Sequence, residues 1–286
     1  MDVIQACLSP SETTMSAVPL LSSRSNPSDT HWIQARMTRA LPRTNFNSST
    51  LVRVLADMAV VDAPQSGPAF AEKLGLWLDF TDAIKLFSAH NAANSIAQSA
   101  VASVAGGDVG EVFAQVRAAV VKSITTSALP DAGQSRLKLP TPDAAAPIEI
   151  AAAYEPYRRY YLAHQRDMEL KLGPLRSNVR AVLVRTSAEL RQLAALDEAL
   201  DGILSDHESK SLAAVSLLLE KRFEHLLASH RQQLVATGQA DNPALWMQAG
   251  MWLATFCNEL QTVLLAELDL RLQPALGLIE AFSNTK

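Results

Sequence analysis

The sequence predicts an all-α protein: a small helical N-terminal domain followed by an elongated antiparallel bundle of long amphipathic helices. Three observations predict it. From Ser48 onward, apolar residues recur at steps of three and four. No segment alternates apolar and polar residues as a half-buried strand would, and the one β-flavoured run, 118–125, fits the helix it follows. The apolar content is 48% of the chain, with only 6% aromatic, so Ala, Leu and Val carry it. The chain has 286 residues, enough for one large or two small domains with a real core.

Residues 1–45 read as a disordered tail, in which Ser, Thr and Pro dominate and no period lasts. Met37 opens the run before the first ordered-looking segment and is read as an alternative start of translation. A small helical domain is expected over 46–128. Ser48 or Ser49 caps a first helix with Leu51, Val54, Leu55 and Met58 on one face, and Asp62-Ala63-Pro64 ends it. Ser66 caps a second helix, with Pro68 in its first turn and the stripe Phe70, Leu74, Trp77 and Leu78. Thr81 or Asp82 restarts a third, carrying Ile84, Leu86 and Phe87, and a weak Ala/Ser helix covers about 92–104. Gly106-Gly107 stops it, and Asp108 caps a helix that turns Val109, Val112, Phe113, Val116, Val120 and Ile124 inward.

Residues 129–148 are a Pro-rich linker through which helix cannot persist. The long-helix bundle spans 149–286. Pro156 opens a helix that Gly173-Pro174 breaks or kinks. From Leu175 to Leu204 a broad stripe runs near a heptad rhythm, in the manner of a coiled coil, with a break expected at Ser205-Asp206. The pattern resumes at Leu212 and lasts to about Val235. A turn over 237–243 leads to a last helix over about 243–272, which Pro274 interrupts. Such long helices hold only if their stripes pack, in one chain or in a homo-oligomer.

Several function classes are excluded or unsupported. Two cysteines, Cys7 and Cys257, do not make a disulfide scaffold or a Cys-rich metal site. The formal charge is -4, so no global basic field argues for nucleic acid. Gly106 to Gly110 fits neither phosphate-binding fingerprint. None of the six histidines has Glu or Asp three residues earlier, and no nucleophile-elbow motif occurs. The expectation is therefore no metal, no cofactor and no catalytic residue. Without a secretory signal or an apolar run of about 18 residues, no membrane span is expected and a cytoplasmic location is.

The most unusual local feature is the run Tyr154, Tyr157, Arg158, Arg159, Tyr160, Tyr161, which holds all four tyrosines of the chain. On a helix it is either a Tyr face in the core with Arg snorkelling outward, or a partner-binding face. Stacking on bases is a further alternative. Tyr157, Arg158, Arg159, Tyr160 and Arg166 are the interaction candidates. Charge is also uneven: residues 154–192 hold eight basic and four acidic residues, net +4, and 193–224 hold three basic and seven acidic, net -4. Packed side by side, their rims would pair and set the register; alternatively, the basic stretch docks an acidic partner.

Several segments resemble an uncharacterised bacterial domain-of-unknown-function family. They are 49–56, 70–84, 157–168 (Tyr-Arg-Arg-Tyr-Tyr-Leu-Ala-His-Gln-Arg-Asp-Met), 190–197 and 218–224. The resemblance runs from about Leu41 to the C-terminus. The family has no assigned activity, so no catalytic residue carries over. The resemblance implies proteins encoded beside MotA/TolQ-like proton channels and OmpA-like proteins, hence an accessory of a membrane-energised complex. The leading expectation is a non-catalytic helical interaction or scaffold protein that binds protein partners, including membrane-complex subunits. The alternatives are a nucleic-acid-associated regulator using 157–191 and an enzyme with an unrecognised bundle site.

Overall fold

The computed structural model describes residues 49–58, 75, 77–95, 109–127 and 137–285. The fold is all-α, with no strand among the described residues. Outside them lie the tail with Met37 and Cys7, the Ser66-capped start of a helix with Phe70 and Leu74, the Gly106-Gly107 stop, Asp108 and linker residues 129–136.

Helix α1 (Thr50–Asp57) begins where the Ser49 hydroxyl accepts from the Val52 N–H at 3.3 Å, and it buries Leu51 and Leu55. Helix α2 (Phe80–Ser95) opens on a reciprocal pair of caps. Asp79 accepts from the Asp82 N–H at 2.7 Å, and Asp82 accepts from the Asp79 N–H at 3.4 Å. This is a capping box with Asp in the place of Glu, and it starts the helix ahead of the expected Thr81 or Asp82. Helix α3 (Val109–Ser127) buries Val109, Val120 and Ile124, with Val112, Phe113 and Val116 packed beside them. After an irregular stretch, the single turn α4 (Ile148–Ala151) leads into α5 (Glu155–Thr186), whose first turn holds Pro156.

The long helices depart from expectation at three places. Helix α5 runs unbroken through Gly173-Pro174. Pro174 and Leu170, whose carbonyl loses its helical donor, both lie on the exposed side, where a missing helical bond costs least. The chain then reverses at Ser187, inside what reads as one continuous stripe from Leu175 to Leu204. Ser187 is extended (φ -150°, ψ 166°), and its hydroxyl accepts from the Leu190 N–H at 3.1 Å to start α6 (Ala188–Thr237). Both arms of this hairpin face the same core, so the apolar rhythm passes through the turn without a gap. Helix α6 also continues through Ser205-Asp206, both exposed and tolerated on a solvent face. It ends at Gly238, whose φ of 65° suits a left-handed cap. A short 3₁₀ turn, Pro243–Leu245, follows. Gly250 at φ 85° cannot sit in a helix, so α7 (Trp252–Ser283) begins later than the expected 243, and it persists through Pro274.

Helices α5, α6 and α7 pack as antiparallel neighbours in chain order, and α7 also touches α1 and α3. Along α7, Leu253, Phe256, Leu260, Val263, Leu264 and Leu268 are fully buried. At one end, Tyr154, Tyr157, Phe223, Trp252 and Phe256 pack with several ring centroids 5.0–6.2 Å apart. Leu51, Leu55, Val120 and Ile124 belong to the same apolar core as the long helices. Helices α1 and α3, expected within a separate small domain over 46–128, thus share the core of the long helices. Helix α2 lies antiparallel along the first half of α6, with Gln192 bonded to His90 and Trp77 stacked on His207 at 5.1 Å.

Candidate functional site

The Tyr/Arg run divides by helical face. Tyr154, Tyr157, Tyr160 and Tyr161 are buried, with Tyr161 at 0% exposure, while Arg158, Arg159 and Arg166 face solvent. Tyr157 and Tyr160 therefore lie in the core. The steps 154–157–161–164–168 keep one side of α5 against α6 and α7. Arg158 and Arg159 both reach Glu155, at 3.4 and 3.5 Å. Arg166 has no ion pair among the described residues.

Part of the uneven charge of the two stretches pairs across the α5–α6 hairpin. Arg176 meets Asp197 at 2.6 Å and Asp201 at 2.5 Å, and Arg180 meets the same two carboxylates at 2.6 and 2.7 Å. Both arginines are largely covered, so these are bonds between well-positioned planar groups and not loose surface pairs. Burial pulls the Arg180 guanidinium pKa down, but the hydrogen bonds it donates to Asp201 and Asp197 outweigh that and hold it even more firmly protonated than usual. Arg222 likewise takes Glu259 of α7 at 2.6 Å.

The polar centre of the bundle escaped the reading of the sequence. Glu267 of α7 is 0% exposed. It accepts from the Tyr161 hydroxyl, from Gln165 at 2.9 Å and from Arg271 at 2.8 Å. Arg271 also lies 3.6 Å from Glu169 and 3.7 Å from Glu208. Burial, and then the Glu267 carboxylate, push the Tyr161 hydroxyl pKa up, which keeps it a donor. A signal for this network was present: Glu267 and Arg271 stand four apart on a face otherwise filled by leucine. One turn away, His164 is buried edge-on against Tyr160, and burial pushes its pKa down to about 4, so the ring is neutral near pH 7. Cys257 is buried, and burial pushes its thiol up to about 12, far from a reactive thiolate. Among the described residues, no three His, Cys, Asp or Glu side chains gather as a metal site would require. No described helix is long and apolar enough to cross a membrane.

Two surfaces leave apolar groups outside. On α2, Phe80, Ile84 and Phe87 form a row facing away from α6, with Phe80 82% exposed. Ile84 and Phe87 thus face outward, while Leu86 alone of the expected trio faces α6 and is half-buried. The second surface is a groove of about 640 Å³ between the start of α5 and the second half of α6, floored by Tyr154, Phe223 and Leu227 and edged by Glu220 and Glu224. Neither surface is lined by the tyrosines and arginines that the sequence singled out, save Tyr154 on the groove floor.

Comparison with curated proteins finds no match, and comparison with solved structures finds none either. A family model described as a protein of unknown function, DUF3348, matches residues 37–284, and the chain belongs to that family.

Proposed function

We propose that the protein is a non-catalytic helical interaction protein that presents apolar helix faces to protein partners. The observation that carries this reading is the outward row Phe80, Ile84 and Phe87 on α2. A soluble monomer rarely leaves several large apolar side chains in contact on one face unless something covers them. The pairing of the buried charged groups supports the same reading. Glu267 is held by Tyr161, Gln165 and Arg271, and Asp197 and Asp201 by Arg176 and Arg180, so these groups lock the bundle. In this reading the partners include subunits of a membrane-energised complex of the MotA/TolQ type, as the resemblance implies.

The test is crosslinking of the tagged full chain in its native cells, followed by mass spectrometry of soluble and membrane fractions. The wild-type chain is expected to enrich a proton-channel or envelope protein. Phe80→Ser with Phe87→Ser is expected to lose it while far-UV circular dichroism stays unchanged, because both side chains are exposed. Recovery of the wild-type chain alone, or with nucleic acid, overturns the reading.

A further inference from the structure

Helix α2 has two unlike faces. Toward α6 it turns Asp82, Leu86 and Ala89, all half-buried. Away from α6 it turns Phe80, Ile84, Phe87 and Asn91, all exposed, at steps of four, three and four. That is the d-a-d-a spacing of a coiled-coil seam, with one polar residue at an a position. Thr81, Ala83 and Ser88 flank the seam and are exposed as well, so the face carries no charge. The charged pair of the helix, Asp82 and Lys85, meets at 3.0 Å off that face. The outward sides of the long helices differ, since they carry charge, as at Arg159 and Arg166 of α5 and Lys210 and Glu224 of α6. A helix face made for water is polar or charged; this one is built as half of a helix pair.

Area, charge and direction together point to the occupant. Phe80, Ile84 and Phe87 are 82%, 49% and 69% exposed. With the small side chains beside them they present roughly 600 Å² per copy, so two copies would cover roughly 1,200 Å², the lower end for a specific interface. An uncharged face gives a charged partner helix nothing to pair with, whereas a second copy brings the same uncharged flanks to it. Side by side in the same direction, two copies of α2 would bring their Asp79 carboxylates and like dipole ends together. In opposite directions these ends lie apart by the length of the helix, about 24 Å for 16 residues. The seam is also self-complementary when reversed: Ile84 falls opposite the second copy's Phe87, and Phe80 opposite the second copy's Asn91.

We propose that α2 pairs in antiparallel fashion with α2 of a second copy of this chain, along the seam Phe80, Ile84 and Phe87. The inference rests on the reading of this row as an interaction face and names what covers it. Ile84 and Phe87 of both copies fill the centre of the pair, about a two-fold axis that crosses the helices. Thr81 of each copy lies along the rim beside the second copy's Ser88. The pair presents every other surface of the bundle twice, which strengthens attachment to any further partner that repeats.

The experiment is sedimentation equilibrium of the full chain across about 1–100 µM. A monomer–dimer equilibrium with its midpoint in that range is expected, as suits an interface of this size. Phe80→Ser with Phe87→Ser is expected to raise the dissociation constant at least about tenfold. Two rim variants, which change exposed residues only, test the direction. Thr81→Glu with Ser88→Glu sets like charges across an antiparallel pair and is expected to weaken it at least about tenfold. Thr81→Lys with Ser88→Glu sets opposite charges across it and is expected to hold or tighten it. A monomer at every concentration overturns the proposal. So does a dimer that either the two serines or the two glutamates leave unweakened, or equal weakening by both rim variants. If the chain is monomeric while the native-cell capture still depends on Phe80 and Phe87, the row serves a different protein and only the second-copy assignment falls. If the dimer behaves as expected while the capture recovers the chain alone, the membrane-complex reading falls and the pairing stands.

Discussion

At Glu267 a full carboxylate sits where 0% of the residue is exposed, and only its three partners make that tolerable. Removing one member of a buried ion pair leaves the other charge uncompensated, which costs more than the pair itself contributes. Glu267→Ala is therefore expected to lower the unfolding free energy by about 3–5 kcal/mol in urea titration. Tyr161→Phe, which deletes one neutral donor, is expected to cost about 2 kcal/mol. Equal small effects from both would mean that Arg271 relies on Glu169 and Glu208 instead. His164 gives a pH signature. Burial lowers its folded pKa from 6.5 to about 4, so below pH 6.5 the unfolded chain takes up a proton that the folded chain refuses. Stability is then complete above about pH 6.5 and falls as the pH drops towards 4, by up to about 3 kcal/mol. His164→Leu is expected to flatten that slope in urea midpoints measured across the window. Asp241 acts lower: burial alone would raise its pKa, but bonds from His230 and Trp246 hold it below 3.8. Its contribution is lost only as the pH falls through that lower value.

The helices show which signals in a sequence are local and which are not. Caps are local: Ser49 and Ser187 both lead to the N–H three residues ahead, and the first was legible as a start. Ser187 was missed because Leu183 and Leu190 keep an unbroken helical rhythm on either side of it, each buried in one shared core. Pro174 misled in the opposite direction, since a proline on the exposed face of a packed helix does not end it. Each of these positions has a measurable cost. Ser187→Ala is expected to lose about 1 kcal/mol with the cap. Pro174→Ala is expected to gain about 1–3 kcal/mol, because it restores an exposed helical N–H and removes a poor helix former. Gly202→Ala, where a new methyl meets nothing within 4 Å, is expected to add about 0.5–1 kcal/mol. Urea midpoints of the three variants check the signs. A destabilised Pro174→Ala would show that the proline bends α5 to fit α7.

Across the molecule, helical class and charge pairing were legible because each rests on periodicity or on the sign of neighbouring blocks. The eight cations of 154–192 and the seven anions of 193–224 read either as rims that pair or as a basic face for an acidic partner, and Arg176, Arg180, Asp197 and Asp201 pair across a hairpin that the stripe itself concealed. What periodicity does not carry is which helix lies against which. The Pro-rich stretch after α3 reads as a boundary, yet Leu51 and Leu55 of α1 and Ile124 of α3 share the core that α7 organises. Sharing a core has a thermodynamic consequence, because elements that bury the same surface unfold together. Leu55→Ala is expected to cost about 2–4 kcal/mol and to shift the transitions seen by far-UV circular dichroism and by Trp fluorescence equally. In a Trp32→Phe, Trp77→Phe background, Trp246 and Trp252 report that fluorescence from the α6–α7 end of the bundle, on elements to which Leu55 does not belong. If residues 46–128 instead folded as an independent domain, the substitution would split the two curves, moving only the helicity lost with α1 to α3. Coincident curves, displaced together, would mean that a loss in the first helix is transmitted through α7 to the whole bundle.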